Sequence, residues 1–129
     1  MKVLLLGSEG FVGQNLIDGL KEKHELLTAD VLNSGTHTNY TKFDITNIDE
    51  TYNLIKNIDV VINLVTHTLT QSLNDVISNA NTNIIGLLNV LEACRKNKIK
   101  KTIFTSASSI IGIPNTFSVD EKHSVMPQT

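Results

Sequence analysis

Three glycines spaced three apart, Gly7, Gly10 and Gly13, follow directly on an apolar run at residues 3–6 (VLLL), and an acid, Asp30, lies 23 residues beyond the first of them. Residues without a Cβ let a turn bring its backbone close to a ligand. A helix starting at Phe11 would present free N–H groups and the positive end of its dipole at the same place. That combination suits the diphosphate of a dinucleotide, and an acid about 20 residues on suits the hydroxyls of its adenosine ribose. A carboxylate there repels a 2′-phosphate, and neither arginine nor lysine occurs in the next ten residues. The pattern therefore favours NAD over NADP as cofactor.

The elements that must hold these residues are legible in the apolar spacing. The unbroken run at 3–6 suits a strand buried on both faces, as in a parallel sheet. Val12, Leu16, Ile17 and Leu20 then line one side of a helix running to about Lys23. Residues 25–29 (ELLTA) predict a second strand with Asp30 at its end, and the polar, aperiodic residues 31–39 predict a loop containing His37. Tyr40 to Phe43 make a short third strand. Asn47 with Glu50 resembles a capping arrangement, and Ile48, Tyr52 and Ile55 give the helix it starts. Residues 60–65 (VVINLV) form the fourth strand, and 66–74 a loop at its carboxyl end, where open α/β sheets bind ligands. The longest helical pattern covers 76–98, with Val76, Ala80, Ile84, Leu87, Leu88, Leu91 and Cys94 as its apolar stripe. Residues 101–105 (KTIFT) are the fifth strand, followed by Ser106 to Ser109; no clear element is expected from Ile110 onward. Alternation of this kind predicts an α/β fold with a doubly wound parallel sheet, Rossmann-like, in which right-handed crossovers set the first and fourth strands side by side beneath the cleft.

Composition narrows the function classes. At 129 residues the chain reads as one domain, 1–129, and a formal net charge of −2 disfavours nucleic acid as a partner. No apolar run approaches the ~18 residues of a membrane span, and the start does not resemble a signal peptide. Cys94, the single cysteine, fits a reducing, cytoplasmic setting; it reads as a packing residue, with a reactive thiol as the alternative. His24 and His67 have no second ligand at metal spacing, so no metal site is expected. The basic residues from Arg95 to Lys101 read as a solvated helix end.

Several stretches together resemble one family, the extended short-chain dehydrogenase/reductases, in particular the NAD-dependent epimerase/dehydratase group acting on nucleotide sugars. Its Gly-x-x-Gly-Phe-x-Gly turn matches Gly7, Gly10, Phe11 and Gly13, and its acid after the second strand matches Asp30. Its Asp-Ile/Val pair matches Asp44 and Ile45, and its VVIHLAA strand is similar to VVINLVT at 60–66. Asn83 to Leu87 stand for its Asn-Val-x-Gly-Thr motif, and Phe104 to Gly112 for its serine-containing strand and loop. The resemblance implies that Gly7, Gly10, Phe11, Val12 and Gly13 contact the pyrophosphate and Asp30 the adenosine ribose. It further implies that Asp44 and Ile45 hold the adenine, that Leu64 and Val65 line the nicotinamide-side ribose, and that Asn83 and Thr105 lie near the nicotinamide.

The same comparison marks departures. The family's catalytic Tyr-x-x-x-Lys falls about 25 residues past the serine motif, beyond Thr129; the one such spacing within these 129 residues, Tyr52 to Lys56, lies too early in the chain to match it. Ala107 stands where the catalytic serine or threonine is usual, with Ser106 or Ser108 able to supply the hydroxyl if the loop shifts by one residue. The final SVDEKHSVMPQT resembles the approach to that tyrosine. The expectation is therefore the amino-terminal NAD-binding portion of a longer nucleotide-sugar epimerase or dehydratase, with the carboxyl-terminal substrate lobe absent. On that expectation the chain is inactive alone. The family's dimers pair through the long helix and a later helix not among these residues, so the resemblance leaves two outcomes for the 76–94 stripe: a homodimer paired in another way, or cover for the sheet alone. The alternative is an inactive dinucleotide-sensing or protein-binding module of the same fold.

Overall fold

The computed structural model describes residues 1–115 and 118–127; the last two residues of SVDEKHSVMPQT lie outside them. Strands β1 (Lys2–Leu6), β2 (Glu25–Asp30), β3 (Tyr40–Lys42), β4 (Val60–Asn63) and β5 (Lys101–Phe104) pair in parallel in the order β3-β2-β1-β4-β5. The connection leaving β1 runs through α1 (Phe11–Lys21) to β2 on one side, and the one leaving β3 crosses back through α2 (Ile48–Leu54) to set β4 on the other, with Leu6 level with Ala29 and Asn63. That is the expected switch point, and a crevice opens above the carboxyl ends of β1 and β4.

Side chains along β1 alternate between two layers, which is why the strand has no polar face. Val3 and Leu5 pack with Leu26, Val60, Ile62 and Ile17, the last from helix α1 (Phe11–Lys21). Leu4 and Leu6 enter the other layer with Ala29, Phe43, Ile45, Ile55, Val61, Val90 and Cys94, beneath helices α2 (Ile48–Leu54) and α5 (Leu87–Lys96). Asn47 starts α2 as the sequence indicates, its side chain accepting from the Asp49 and Glu50 N–H groups. Asp59 fixes the opposite, amino-terminal end of the sheet. Its carboxylate accepts from the Lys2 N–H at 2.8 Å and from Lys100 Nζ at 2.6 Å, and those two bonds hold its pKa below the usual carboxylate value.

Two expectations are corrected. Part of the loop after β4 is helical: α3 (Leu69–Asn74) begins at Thr68, whose N–H donates to Gln71 Oε1 at 2.7 Å. The pattern of 76–98 is not one regular helix with one stripe. It starts as α4 (Val76–Ala80), widens into a π-helical segment over Asn81–Gly86, and continues as α5 to Lys96. The wider turns shift the phase of the helix faces. Gly86, Val90, Ala93 and Cys94 face the sheet, while Val76, Ile84, Leu88 and Leu91 of the expected stripe are exposed. Cys94 is buried with its thiol pKa pushed up by burial, which favours the packing role over a reactive one.

Candidate functional site

The site is assembled at the carboxyl ends of the strands. Gly7 leaves β1 at φ +78°, and its N–H donates to Ala29 O at 2.9 Å. A Cβ at Gly7 would lie 3.0 Å from the Leu64 carbonyl carbon and the Val65 nitrogen. The glycine turn is therefore seated directly on the chain leaving β4. A Cβ at Gly13 would collide with the Gly7 and Ser8 carbonyl oxygens, so helix α1 can approach the turn only because residue 13 is glycine. Gly10 is the N-cap of α1, and no side chain caps that helix end. Its first N–H groups are left to a ligand. Phe11 and Val12, in that first turn, are exposed, with Phe11 86% accessible. Three glycines packed against main chain and an uncapped helix start are what a diphosphate needs, so the residues fit the dinucleotide implied by the sequence.

Asp30, the last residue of β2, is half-buried beside the turn. Its Oδ2 accepts from the Glu9 N–H at 3.0 Å and its Oδ1 from the Val31 N–H at 2.7 Å. Each oxygen keeps a further lone pair for a ribose hydroxyl. Asp44 follows β3, exposed, with Oδ1 accepting from Thr46 N–H and Oγ1 at 2.9 and 2.8 Å. Ile45 is 4% exposed and packs in the core against Gly86, so its side chain is a support rather than a contact surface.

On the other side of the crevice, Leu64 and Val65 are half-buried beside Gly7, and the Val65 N–H donates to the buried Asn63 side chain. Asn83 Oδ1 accepts from the His67 N–H at 2.7 Å while its Nδ2 donates to His67 O at 3.1 Å. Both ends of the Asn83 amide are thus engaged in holding the loop after β4. Thr105, exposed after β5, is tied to Asn63 O through its N–H at 3.4 Å. Ser106 and Ser108 are also exposed, Ser108 opening a 3₁₀ turn to Ile111. No group of metal-ligating side chains occurs among the described residues. A surface depression bordered by Lys42, Asn47 and Glu50 involves none of the glycine-turn residues.

Sequence reasoning missed Glu9, Thr36 and Tyr40. Thr36 donates its N–H to Glu9 Oε2 at 3.2 Å, and the Tyr40 hydroxyl donates to Leu32 O at 2.6 Å and lies 3.0 Å from Asp30 O. A Cβ at Gly35 would strike the Tyr40 ring. Residues 31–39 have no periodicity, so nothing in the sequence announced that this largely exposed loop ties back to Glu9 and Tyr40; the Gly35–Tyr40 spacing was the faint signal available.

A parallel sheet in this order, with a glycine turn and an acid at the ends of its first two strands, defines a dinucleotide-binding α/β fold of the Rossmann type. Family comparison is more specific. The family described as NAD dependent epimerase/dehydratase matches residues 3–129, and the chain belongs to it. It is 26% identical to a UDP-glucose 4-epimerase of Lactobacillus helveticus, covering 98% of this chain and 42% of that protein. Among solved structures it is similar to UDP-N-acetylglucosamine 4-epimerase from Methanobrevibacter ruminantium M1 in complex with UDP-N-acetylmuramic acid. That match has TM-score 0.81 and 27% identity over 98% of this chain and 44% of that one. The UDP-glucose 4-epimerase of Thermus thermophilus, a complex with NAD, shares the fold at TM-score 0.83 and 24% identity, with 98% of this chain and 45% of that one covered. The chain thus spans less than half the length of these relatives.

Proposed function

We propose that this chain is the NAD-binding part of an NAD-dependent epimerase or dehydratase acting on nucleotide sugars, with 1–129 as one cofactor-binding domain. The observation that carries the reading is the pairing of the side-chain-free turn at Gly7, Gly10 and Gly13 with the Asp30 carboxylate. Gly7, Gly10 and the first turn of α1 at Phe11, Val12 and Gly13 would hold the diphosphate through main-chain N–H groups. Asp30 would accept from the adenosine ribose, and Asp44 with the Ile45 backbone would edge the adenine. Leu64 and Val65 would floor the other ribose, with Asn83 and Thr105 toward the nicotinamide. NAD, when bound, supplies the hydride acceptor for a sugar carbon. Ser106 or Ser108 would offer a hydroxyl at that end of the crevice, and a nucleotide sugar would be the substrate of the complete enzyme.

Titration calorimetry with NAD tests the reading. Binding is expected, weakened about tenfold or more by Asp30→Ala, which removes a charge-assisted hydrogen bond of about 1.5–3 kcal/mol. No heat with the wild-type chain, or an unchanged affinity in Asp30→Ala, would refute it. No epimerisation of a UDP-sugar by these 129 residues is expected, because their one Tyr-x-x-x-Lys spacing, Tyr52 to Lys56, belongs to α2 and its end, and no such pair follows the serine loop to move the proton. Ala107 favours a second reading, a dinucleotide-sensing module without chemistry. Full-length protein that binds NAD yet converts no UDP-sugar to an epimer or a dehydrated product would support that reading over the enzyme.

No helix among the described residues is long and apolar enough to cross a membrane. A cytoplasmic setting is supported by the free, buried Cys94. A homodimer is supported by the exposed apolar side chains of Leu73, Ile77, Ile84, Leu88 and Leu91 along α3 to α5.

A further inference from the structure

Resting on the dinucleotide reading, we infer that Glu9 is a second specificity-determining residue of the adenosine end, one that rejects a 2′-phosphate alongside Asp30. Glu9 lies within the glycine turn, and its N–H donates to Asp30 Oδ2 at 3.0 Å, so residue 9 touches the group assigned to the ribose hydroxyls. Its half-buried side chain is held rather than loose. Glu9 Oε2 accepts from the Thr36 N–H at 3.2 Å, and Oε1 from Thr36 Oγ1 at 3.4 Å and Ser8 Oγ at 3.1 Å. Thr36, itself exposed, follows Gly35, which packs against the Tyr40 ring.

Burial raises the Tyr40 phenol pKa, and the charges of Asp30 and Glu9 raise it further, which places both carboxylates within electrostatic reach of one hydroxyl. The cation of this corner is Lys42, level with Asp30 on the neighbouring strand. Its Nζ is occupied by Asn33 Oδ1 at 2.9 Å. A ribose bearing only hydroxyls can donate to Asp30 and needs nothing from Glu9, whose oxygens are engaged with Ser8 and Thr36, whereas a dianionic phosphate meets a second fixed carboxylate beside the first. The Thr36 bonds keep the Glu9 carboxylate from swinging away when such a ligand arrives, which a solvated glutamate could do.

The test is paired titration of NAD and NADP into the wild-type chain, Glu9→Gln and Glu9→Ser, at low and high salt. Glu9→Gln retains an acceptor for Thr36 and removes the charge, and Glu9→Ser guards against a fault peculiar to the amide. The expected result is an NADP affinity raised about tenfold in both variants, NAD affinity changed by less than about threefold, and a gain that shrinks as salt screens the charges. Equal weakening of both nucleotides would make Glu9 a mere tie for the loop and overturn the inference, as would an unaltered NAD-to-NADP ratio. Failure of the wild-type chain to bind either nucleotide would instead remove the dinucleotide reading and this inference with it.

Discussion

At the scale of single residues, the glycine turn is constrained by atoms rather than by preference. Gly7 sits at φ +78° with the Leu64–Val65 peptide against it, so Gly7→Ala adds left-handed strain and a contact at 3.0 Å. It is expected to cost at least about 1 kcal/mol of stability, measured by urea unfolding. Gly13→Ala should be worse for binding, because the displaced helix start carries the N–H groups that the diphosphate needs. The measurement is NAD affinity against the urea midpoint of the same variant, with affinity falling out of proportion to stability. The sequence exposed the glycines and Asp30 because their spacing is set by covalent geometry and by one strand–helix passage. It concealed Glu9, whose role depends on a loop from another part of the chain. Ile45 shows the same dependence: its side chain turns into the core against Gly86, 41 residues later, which no local pattern announces.

Among the elements, those with strong period and a visible cap were read correctly. The Asn47 cap of α2 is one, and Asn47→Ala should lower stability by about 1 kcal/mol without touching NAD affinity, as thermal melts and calorimetry together would show. The failures follow from energy terms that the sequence pattern does not display. The π segment over Asn81–Gly86 breaks a helical period that continues on both sides, so a single stripe was drawn across two differently phased helices. Asn83 sits in that widened stretch and clasps the His67 backbone from both sides, joining the irregular helix to the loop after β4. The α3 start at Thr68 and Gln71 was present in the sequence but was outweighed by the polar surroundings.

For the molecule as a whole, the parallel sheet and both its layers followed chiefly from the apolar runs of β1 and β4, because strands buried on both faces leave little freedom in composition. Asp59 closes the amino-terminal rim of that sheet and sets a pH dependence. Its folded pKa is depressed by the Lys100 and Lys2 donors below the ordinary 3.8. The stabilisation is therefore complete above the unfolded value and is lost as pH falls through the folded one. The advantage of wild type over Asp59→Asn in urea midpoint should be flat near neutrality and shrink below about pH 4. An advantage that grew on acidification would show the sign to be wrong. The exposed apolar row gives a second whole-molecule expectation: Leu88→Glu should leave the melting temperature nearly unchanged and reduce the mass measured by sedimentation.

The cup beneath the turn is built from peptide groups, with glycine wherever a side chain would intrude. Directed evolution has almost nothing to grip there: most codon changes at Gly7 or Gly13 damage the vessel, and none can relocate an amide hydrogen. Laboratory retuning toward another nucleotide must therefore work from the rim, at Glu9, Phe11 and Val12. A library randomised at those three positions should yield altered preference far more often than one spread across the three glycines.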